Sequence, residues 1–457
     1  MSPRKLLVLT IVVLALLGFI FLFERKMPST SQQQAKGDLV WEVPQDRIES
    51  LRFEHSGLIV ELKQAEGAEH GWKMTRPEAY PADAGVAGDA ASQLARLRRA
   101  GSETAEARPE DYGLKAPSVK ATIIWKAEGD EKKHLSRTLE LGIDIPGTDA
   151  TAARVAGTDR VFFVPASVAA VVKKNPDDFK SKEVFGGSSA EAARLEMDRG
   201  RGRLSLSRKN GTWWIAQPFS DPADSETTQR LVADLTGLRA LEFLSTAERQ
   251  NLSSLGLAPP LYRVTLSDAK GPGTTVDFGA TRSDGNSVYA RRESQVFTVP
   301  SSITEELSKE AVAFREPRLV RFDRARVTSL SGVFGPTSFA LEQKDGGWNV
   351  AGKPVGANSV DDLFSAFSEV KSRAFLEEAE TAALKAREPA GTITVKAPGE
   401  EWTVRIYALA ARWRATVTGR PGAFELAKDP VPALQAAFQK AVTSLQATPV
   451  PKPAGKR

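Results

Sequence analysis

Short runs of alternating apolar and polar residues, punctuated by glycine, proline and serine, fill most of this chain. Ile48-Glu49-Ser50-Leu51-Arg52-Phe53 alternates, Glu54-His55-Ser56-Gly57 signals a turn, and Leu58 to Lys63 alternates again. The same figure returns at Ala193 to Met197 and Leu204 to Ser207 around a glycine-rich turn. It returns once more at Val327 to Phe334 and Ser338 to Glu342 around Gly335-Pro336. Period-two alternation about such turns predicts β-hairpins. A tryptophan segment follows each hairpin and predicts a third strand that stops at its proline: Gly71 to Pro77, Trp213 to Pro218 and Gly347 to Pro354.

The period then changes. Leu231, Leu235 and Leu238 follow Ser225-Glu226, and Val360, Leu363, Phe364, Phe367 and Val370 follow Asn358-Ser359. Spacings of three and four put these side chains on one helix face, with Ser225 and Asn358-Ser359 as expected N-caps. Arg96, Arg98 and Arg99 would end the corresponding first helix, where cations complement the dipole. Further strands are expected at Val119 to Trp125, Leu139 to Leu141 and Val161 to Val164, and again at Thr392 to Val395, Trp402 to Tyr407 and Arg412 to Thr418. A short closing helix is expected over Ile303 to Val312. Strands, helix, strands, helix in each copy predict an α+β class with an antiparallel sheet plus helices per repeat.

Other landmarks recur in step. Tyr112-Gly113-Leu114-Lys115-Ala116-Pro117 matches Leu255 to Pro260, Leu139 to Gly142 matches Val276 to Gly279, Val161 to Pro165 matches Val296 to Pro300, and Phe179-Lys180 answers Phe314-Arg315. Offsets of 135 to 143 residues are what tandem duplication with small insertions leaves behind. The expected units are repeat 1 at 38–186, repeat 2 at 187–320 and a divergent repeat 3 at 321–447. The third lacks the Tyr-Gly-Leu element and reads alanine- and charge-rich from Glu377 to Ala390.

The N-terminus changes the picture. Leu6 to Phe23 is 18 uncharged residues, flanked by Arg4-Lys5 and Glu24-Arg25-Lys26. As a helix it would span about 27 Å, close to bilayer thickness. A cleaved leader has a shorter apolar core and a small-x-small end. This run ends Phe21-Leu22-Phe23, which favours an uncleaved transmembrane helix over residues 1–26, followed by a polar tether at 27–37. The α-amine, Arg4 and Lys5 outnumber the positives beyond the run, favouring a cytoplasmic N-terminus and a periplasmic body. The net charge of +5 sits at the ends: residues 1–26 and the Pro-rich tail 448–457 carry three net positives each, leaving a near-neutral body. That is not a nucleic-acid footprint. Cysteine is absent, which excludes disulfides and thiolate chemistry.

Candidate chemistry is sparse. The repeated tryptophans could form a glycan-stacking platform, but equivalent placement in all copies favours core anchors. His55, His70 and His134 sit in an expected turn and expected polar loops, without the convergence a metal needs. Arg199-Gly200-Arg201-Gly202-Arg203 resembles an anion-binding run, yet it falls where the other copies turn. Walker, Gly-x-Ser-x-Gly and His-Glu-x-x-His patterns are missing. The sequence therefore nominates no catalytic, cofactor-binding or metal-binding residue and no cofactor, and the reading is non-enzymatic.

The N-terminal apolar run, the tandem Trp-x-x-x-x-Pro segments, the Tyr-Gly-Leu-x-x-Pro turn, the Leu-Gly strand end and the Val-Phe-x-Val-Pro strand together resemble the bacterial domain of unknown function 4340 family. The resemblance covers the first two repeats well and the third in part. Its members have no assigned reaction and are often encoded beside components of a gliding-motility-type ABC transporter. It therefore implies an accessory scaffold of the bacterial inner membrane, single-pass through Leu6–Phe23, with envelope proteins or transporter subunits as partners. A peptidoglycan- or polysaccharide-binding module is the alternative.

Overall fold

The first hairpin shows how alternation becomes structure. Ile48–His55 and Leu58–Gln64 pair antiparallel with Leu51 opposite Leu62 and Phe53 opposite Val60, and all four side chains are fully buried. Ser56 and Gly57 have φ of 48° and 78°, the left-handed pair of a two-residue turn whose twist suits the strands. In this computed structural model the described residues are 38–65, 71–100, 108–200, 202–269, 271–344, 346–350, 352–355, 357–410, 412–427 and 430–446. The expected anchor Leu6–Phe23, the tether 27–37 and the tail 448–457 lie outside them. Among the described residues no helix is long and apolar enough to cross a membrane.

Trp72–Arg76 and Tyr80–Pro81 extend the hairpin on one side. Val119–Ala127, Asp130–Asp144, Ala150–Val155 and Phe162–Pro165 extend it on the other, giving eight antiparallel strands. A second sheet follows the same order: Asp221–Pro222, Thr212–Gln217, Arg203–Lys209, Ala192–Asp198, Tyr262–Asp268, Thr274–Thr281, Ser287–Arg292, Gln295–Pro300. A third does so with Lys353–Pro354, Gly347–Val350, Thr337–Lys344, Ser329–Phe334, Gly391–Ala397, Glu400–Leu409, Arg412–Val417 and Ala423–Leu426, and adds Ser372–Leu376 at its edge. Leu39–Glu42 with Arg96–Arg98 forms a small fourth sheet. The chain divides into two compact units, one ending at Lys182 and one beginning at Glu183; the second and third sheets both lie in the latter.

The expected α+β class is thus corrected: the described residues are mostly β, in four sheets, with short helices as covers. Extended segments had been hidden by their charges. Asp130–Asp144 is one 15-residue strand, although Lys132, Lys133 and His134 make its start read as loop. An antiparallel sheet tolerates such residues because one face can meet water.

The helices Ala84–Ala95, Ser225–Thr236 and Ala357–Ser368 each bury one apolar stripe, Leu231 and Leu235 in the second and Val360, Leu363, Phe364 and Phe367 in the third. Their caps differ from expectation. Asp83 accepts from Gly85 N and Val86 N at 3.0 Å, and Asp224 accepts from Thr227 N at 3.1 Å. Ser225 is the first helical residue, and Asn358 and Ser359 lie inside the third helix. Arg96 caps the C-terminus of Ala84–Ala95 as expected, but Arg96 to Arg98 then run as a strand, and Arg96 Nη2 donates to Glu42 at 2.7 Å. The segment Ile303 to Val312 divides into the helix Ile303–Ser308 and a 3-10 turn Ala311–Phe314. The closing helix of the third copy, Pro430–Gln446, covers the third sheet, with the Phe438 ring edge-on to Phe339 at 4.3 Å.

Two of the recurring sequence landmarks are one physical device. Gly113 and Gly256 turn the chain at φ of 72° and 68°, bringing the turn against the neighbouring strand. A Cβ on Gly142 would lie 2.0 Å from Tyr112 O, and one on Gly279 would lie 2.2 Å from Leu255 O. Leu114 and Leu257, delivered by these turns, are fully buried. The strand register places Tyr407 at the corresponding point of the third sheet. There the turn gives way to the helix Glu378–Lys385, whose Leu384 packs with Tyr407 and Ala423.

Candidate functional site

The residues singled out in the sequence separate once placed. Trp72 and Trp213 are 7% and 2% exposed and belong to cores. Trp348 is half-buried against the third core, at 5.5 Å from the Phe364 ring. Its strand stops at Val350, and Pro354 lies in the next short strand, so the third tryptophan segment is a tighter hairpin than the other two.

His55 is a correction. It is buried, at the end of its strand, and its Nε2 lies 2.8 Å from Lys174 O. His134 lies in a strand rather than a loop and pairs with Glu49 at 2.6 Å. His70 lies outside the described residues. Among the described residues no group of three or more His, Asp or Glu is placed to hold a metal.

The outward faces of the sheets carry a pattern that sequence reading missed. Three cross-strand threonine pairs occupy matching positions: Thr122 with Thr138 at 2.9 Å, Thr265 with Thr275 at 2.8 Å, Thr394 with Thr403 at 3.2 Å. Two residues along each strand runs a four-strand row. In the first sheet it reads Glu54, Lys120, Glu140, Arg154 and in the second Asp198, Arg263, Asp277, Arg291. The signs alternate, so every neighbour attracts. Glu140 meets Arg154 at 2.6 Å and Lys120 at 3.6 Å; Asp277 meets Arg263 at 2.7 Å and Arg291 at 2.6 Å. Burial pushes the Asp277 carboxyl up, but hydrogen bonds from both arginines prevail and hold it below its ordinary value. The third sheet breaks the row: Val333, Thr392, Arg405, Thr416. Val333 is 52% exposed and lines a trough of about 720 Å³ whose charged residues are Glu342 and Lys344.

A family assignment follows from the whole chain rather than from a site. The protein-family model described as Domain of unknown function (DUF4340) matches residues 72–250 and 222–389, two overlapping stretches that cover most of the chain. The chain belongs to this family. No curated protein matches it. Among solved structures it aligns with the DNA polymerase III beta subunit of Thermotoga maritima, at 8% identity over 84% of this chain and 90% of that one, with a TM-score of 0.14. It also aligns with the DnaN sliding clamp of Pseudomonas aeruginosa bound to griselimycin, at 7% identity over 84% and 91%, with a TM-score of 0.13. Scores this low carry no structural argument.

Within this member of the DUF4340 family, two sites concentrate charge away from the outward rows. One is a buried joint between the second and third sheets. Asp221, with no exposure, accepts from Arg315 Nε at 2.7 Å and from Arg420 Nε and Nη2 at 2.9 and 2.8 Å. Arg420 also donates to the carbonyls of Glu316 and Arg318, and Arg315 lies over the Phe375 ring at 4.1 Å. Burial lowers the Arg315 pKa, with Asp221 opposing. Every donor aimed at the carboxylate is engaged, so this cluster joins parts of the chain.

The other is a cavity of about 560 Å³ at the turn of the second hairpin, lined by Arg199, Arg203, Tyr262 and Ser308 among others. It lies on the Arg-Gly-Arg-Gly-Arg run, of which Arg201 is outside the described residues. Arg199 Nη1 donates to Lys309 O, and Arg203 pairs with Glu196. Arg199 Nε is buried and has no partner among the described residues. The lining offers guanidinium groups, hydroxyls and the Glu310 carboxylate, groups that can hydrogen-bond a ligand.

Proposed function

We propose that the protein is a non-enzymatic accessory scaffold of the bacterial envelope, held at the inner membrane through its apolar run Leu6–Phe23 with the body in the periplasm. Its partners are envelope proteins, subunits of a gliding-motility-type ABC transporter foremost. The observation that carries this reading is where the repeated side chains go. Gly142 and Gly279, Leu114, Leu257 and Leu384, and the three threonine pairs all serve packing. A chain that repeats packing and not chemistry supplies surfaces and spacing. Membership of the DUF4340 family is compatible with this role and assigns no reaction. The alternative, a peptidoglycan or polysaccharide module, loses its main support because Trp72 and Trp213 face cores and cannot stack on sugars.

Affinity purification of the full chain from detergent-solubilised membranes tests the reading. Recovery of permease subunits, lost when residues 1–26 are removed, is the expected result. Retention on insoluble peptidoglycan with no membrane protein recovered would overturn it.

A further inference from the structure

The position at or just beyond the end of the first hairpin strand is used differently in each sheet. Counting three residues on from the partners of Thr122, Thr265 and Thr394 gives His55, Arg199 and Phe334. His55 fills its place and bonds the carbonyl of Lys174. Phe334 fills its place with aromatic contacts, to Phe438 at 6.2 Å and Trp413 at 6.4 Å. Arg199 repeats the histidine's bond, to the carbonyl of Lys309, but leaves a cavity beside it and a buried Nε without a partner among the described residues. A buried donor left unsatisfied costs about 1–3 kcal/mol, and a shift of the Arg199 side chain toward an acceptor in the cavity would relieve it.

The rest of the lining defines the acceptor. Arg203 is held by Glu196, so Arg199 is the lining guanidinium without an ion pair among the described residues, and with Glu310 also on the wall one negative charge is matched and a second is repelled. Burial lowers the Arg199 pKa while Glu310 and Tyr262 raise it, and a guanidinium stays charged in either case. The lining also has an apolar part: Pro218, Ala311 and Leu261, the last 52% exposed. The volume falls in the range of small-molecule sites, about 300–1,000 Å³.

We infer that this cavity binds an organic monocarboxylate, its carboxylate on Arg199 and Arg203 and its apolar body against Pro218, Leu261 and Ala311. Guanidinium and carboxylate match as planar forks, and the apolar wall selects a hydrophobic acid over inorganic anions. Two sources share this chemistry, a free hydrophobic acid and the C-terminal carboxylate of a polypeptide.

Isothermal titration of the full-length chain in detergent with benzoate, N-acetylphenylalanine and N-acetylphenylalanine amide tests it. The expected result is saturable binding of at least one acid, weakened about tenfold or more in Arg199→His and to a smaller extent in Arg203→Gln. Arg199→His installs the residue the first sheet uses and so retains the carbonyl bond. Benzoate binding alone identifies a free acid; binding of N-acetylphenylalanine identifies a chain terminus. Equal binding of the amide, failure of both acids to saturate, or affinity unchanged in Arg199→His would each overturn the inference.

Discussion

The second and third sheets share one strand order and differ at a single decisive point. Gly279 lets the carbonyl of Leu255 approach so closely that a Cβ would stand 2.2 Å away, and the turn then seats Leu257. Tyr407 occupies that point in the third sheet and is itself buried, and Leu384 reaches the same place from a helix. The comparison separates the contact from the backbone that delivers it. A buried leucine over the outward face is kept, while turn and helix are interchangeable means chosen by one residue.

The largest break in the comparison is at the joint that both sheets share. Asp221→Ala would leave Arg315 and Arg420 buried without their common carboxylate. It should cost about 3–5 kcal/mol, read by denaturant unfolding. Next come the tryptophans. Trp213→Ala empties a fully packed site and should cost about 3–5 kcal/mol. Trp348→Ala, at a half-buried ring, should cost clearly less under the same measurement. Equal losses would mean that the third core depends on its tryptophan as the second does.

Gly279→Ala should cost about 1–3 kcal/mol, because the clash is with backbone that cannot step aside cheaply. The smallest effect concerns the outward rows. Asp277 has its folded-state pKa below the ordinary 3.8. Its stabilisation is present above that unfolded value and is lost as pH falls through the folded one. Stability followed from about pH 6 to about pH 2.5 should therefore decline on the acid limb. In Asp277→Asn the decline should be shallower, and an identical limb in both proteins would remove this carboxylate from the acid response.

Much of this fold was legible as pattern. The hairpins, the Ser56-Gly57 turn and the helical stripes follow from alternation and spacing, which report which face is buried. The joined landmarks were visible as separate motifs, but only the close approach of Tyr112 to Gly142 explains why they travel together. Residues whose meaning depends on register escaped. Lys120, Glu140 and Arg154 each read as ordinary surface residues until pairing sets them side by side. His55 reads as a turn residue because the strand extends two residues beyond Phe53, where its alternation ends. The Arg199 cavity was legible only as a basic run, since the orphaned Nε depends on the carbonyl of Lys309, 110 residues away.

If repeated residues hold the units and unrepeated ones recognise ligands, Gly279→Ala and Arg203→Gln should fail in opposite ways. Thermal unfolding and titration of the two hydrophobic acids on both variants read this most directly. The expected result is a melting temperature lowered by about 3–10 °C with acid binding retained in the first variant, and unchanged melting with weakened binding in the second. A stable Gly279→Ala, or an Arg203→Gln that melts early and binds as before, would contradict it.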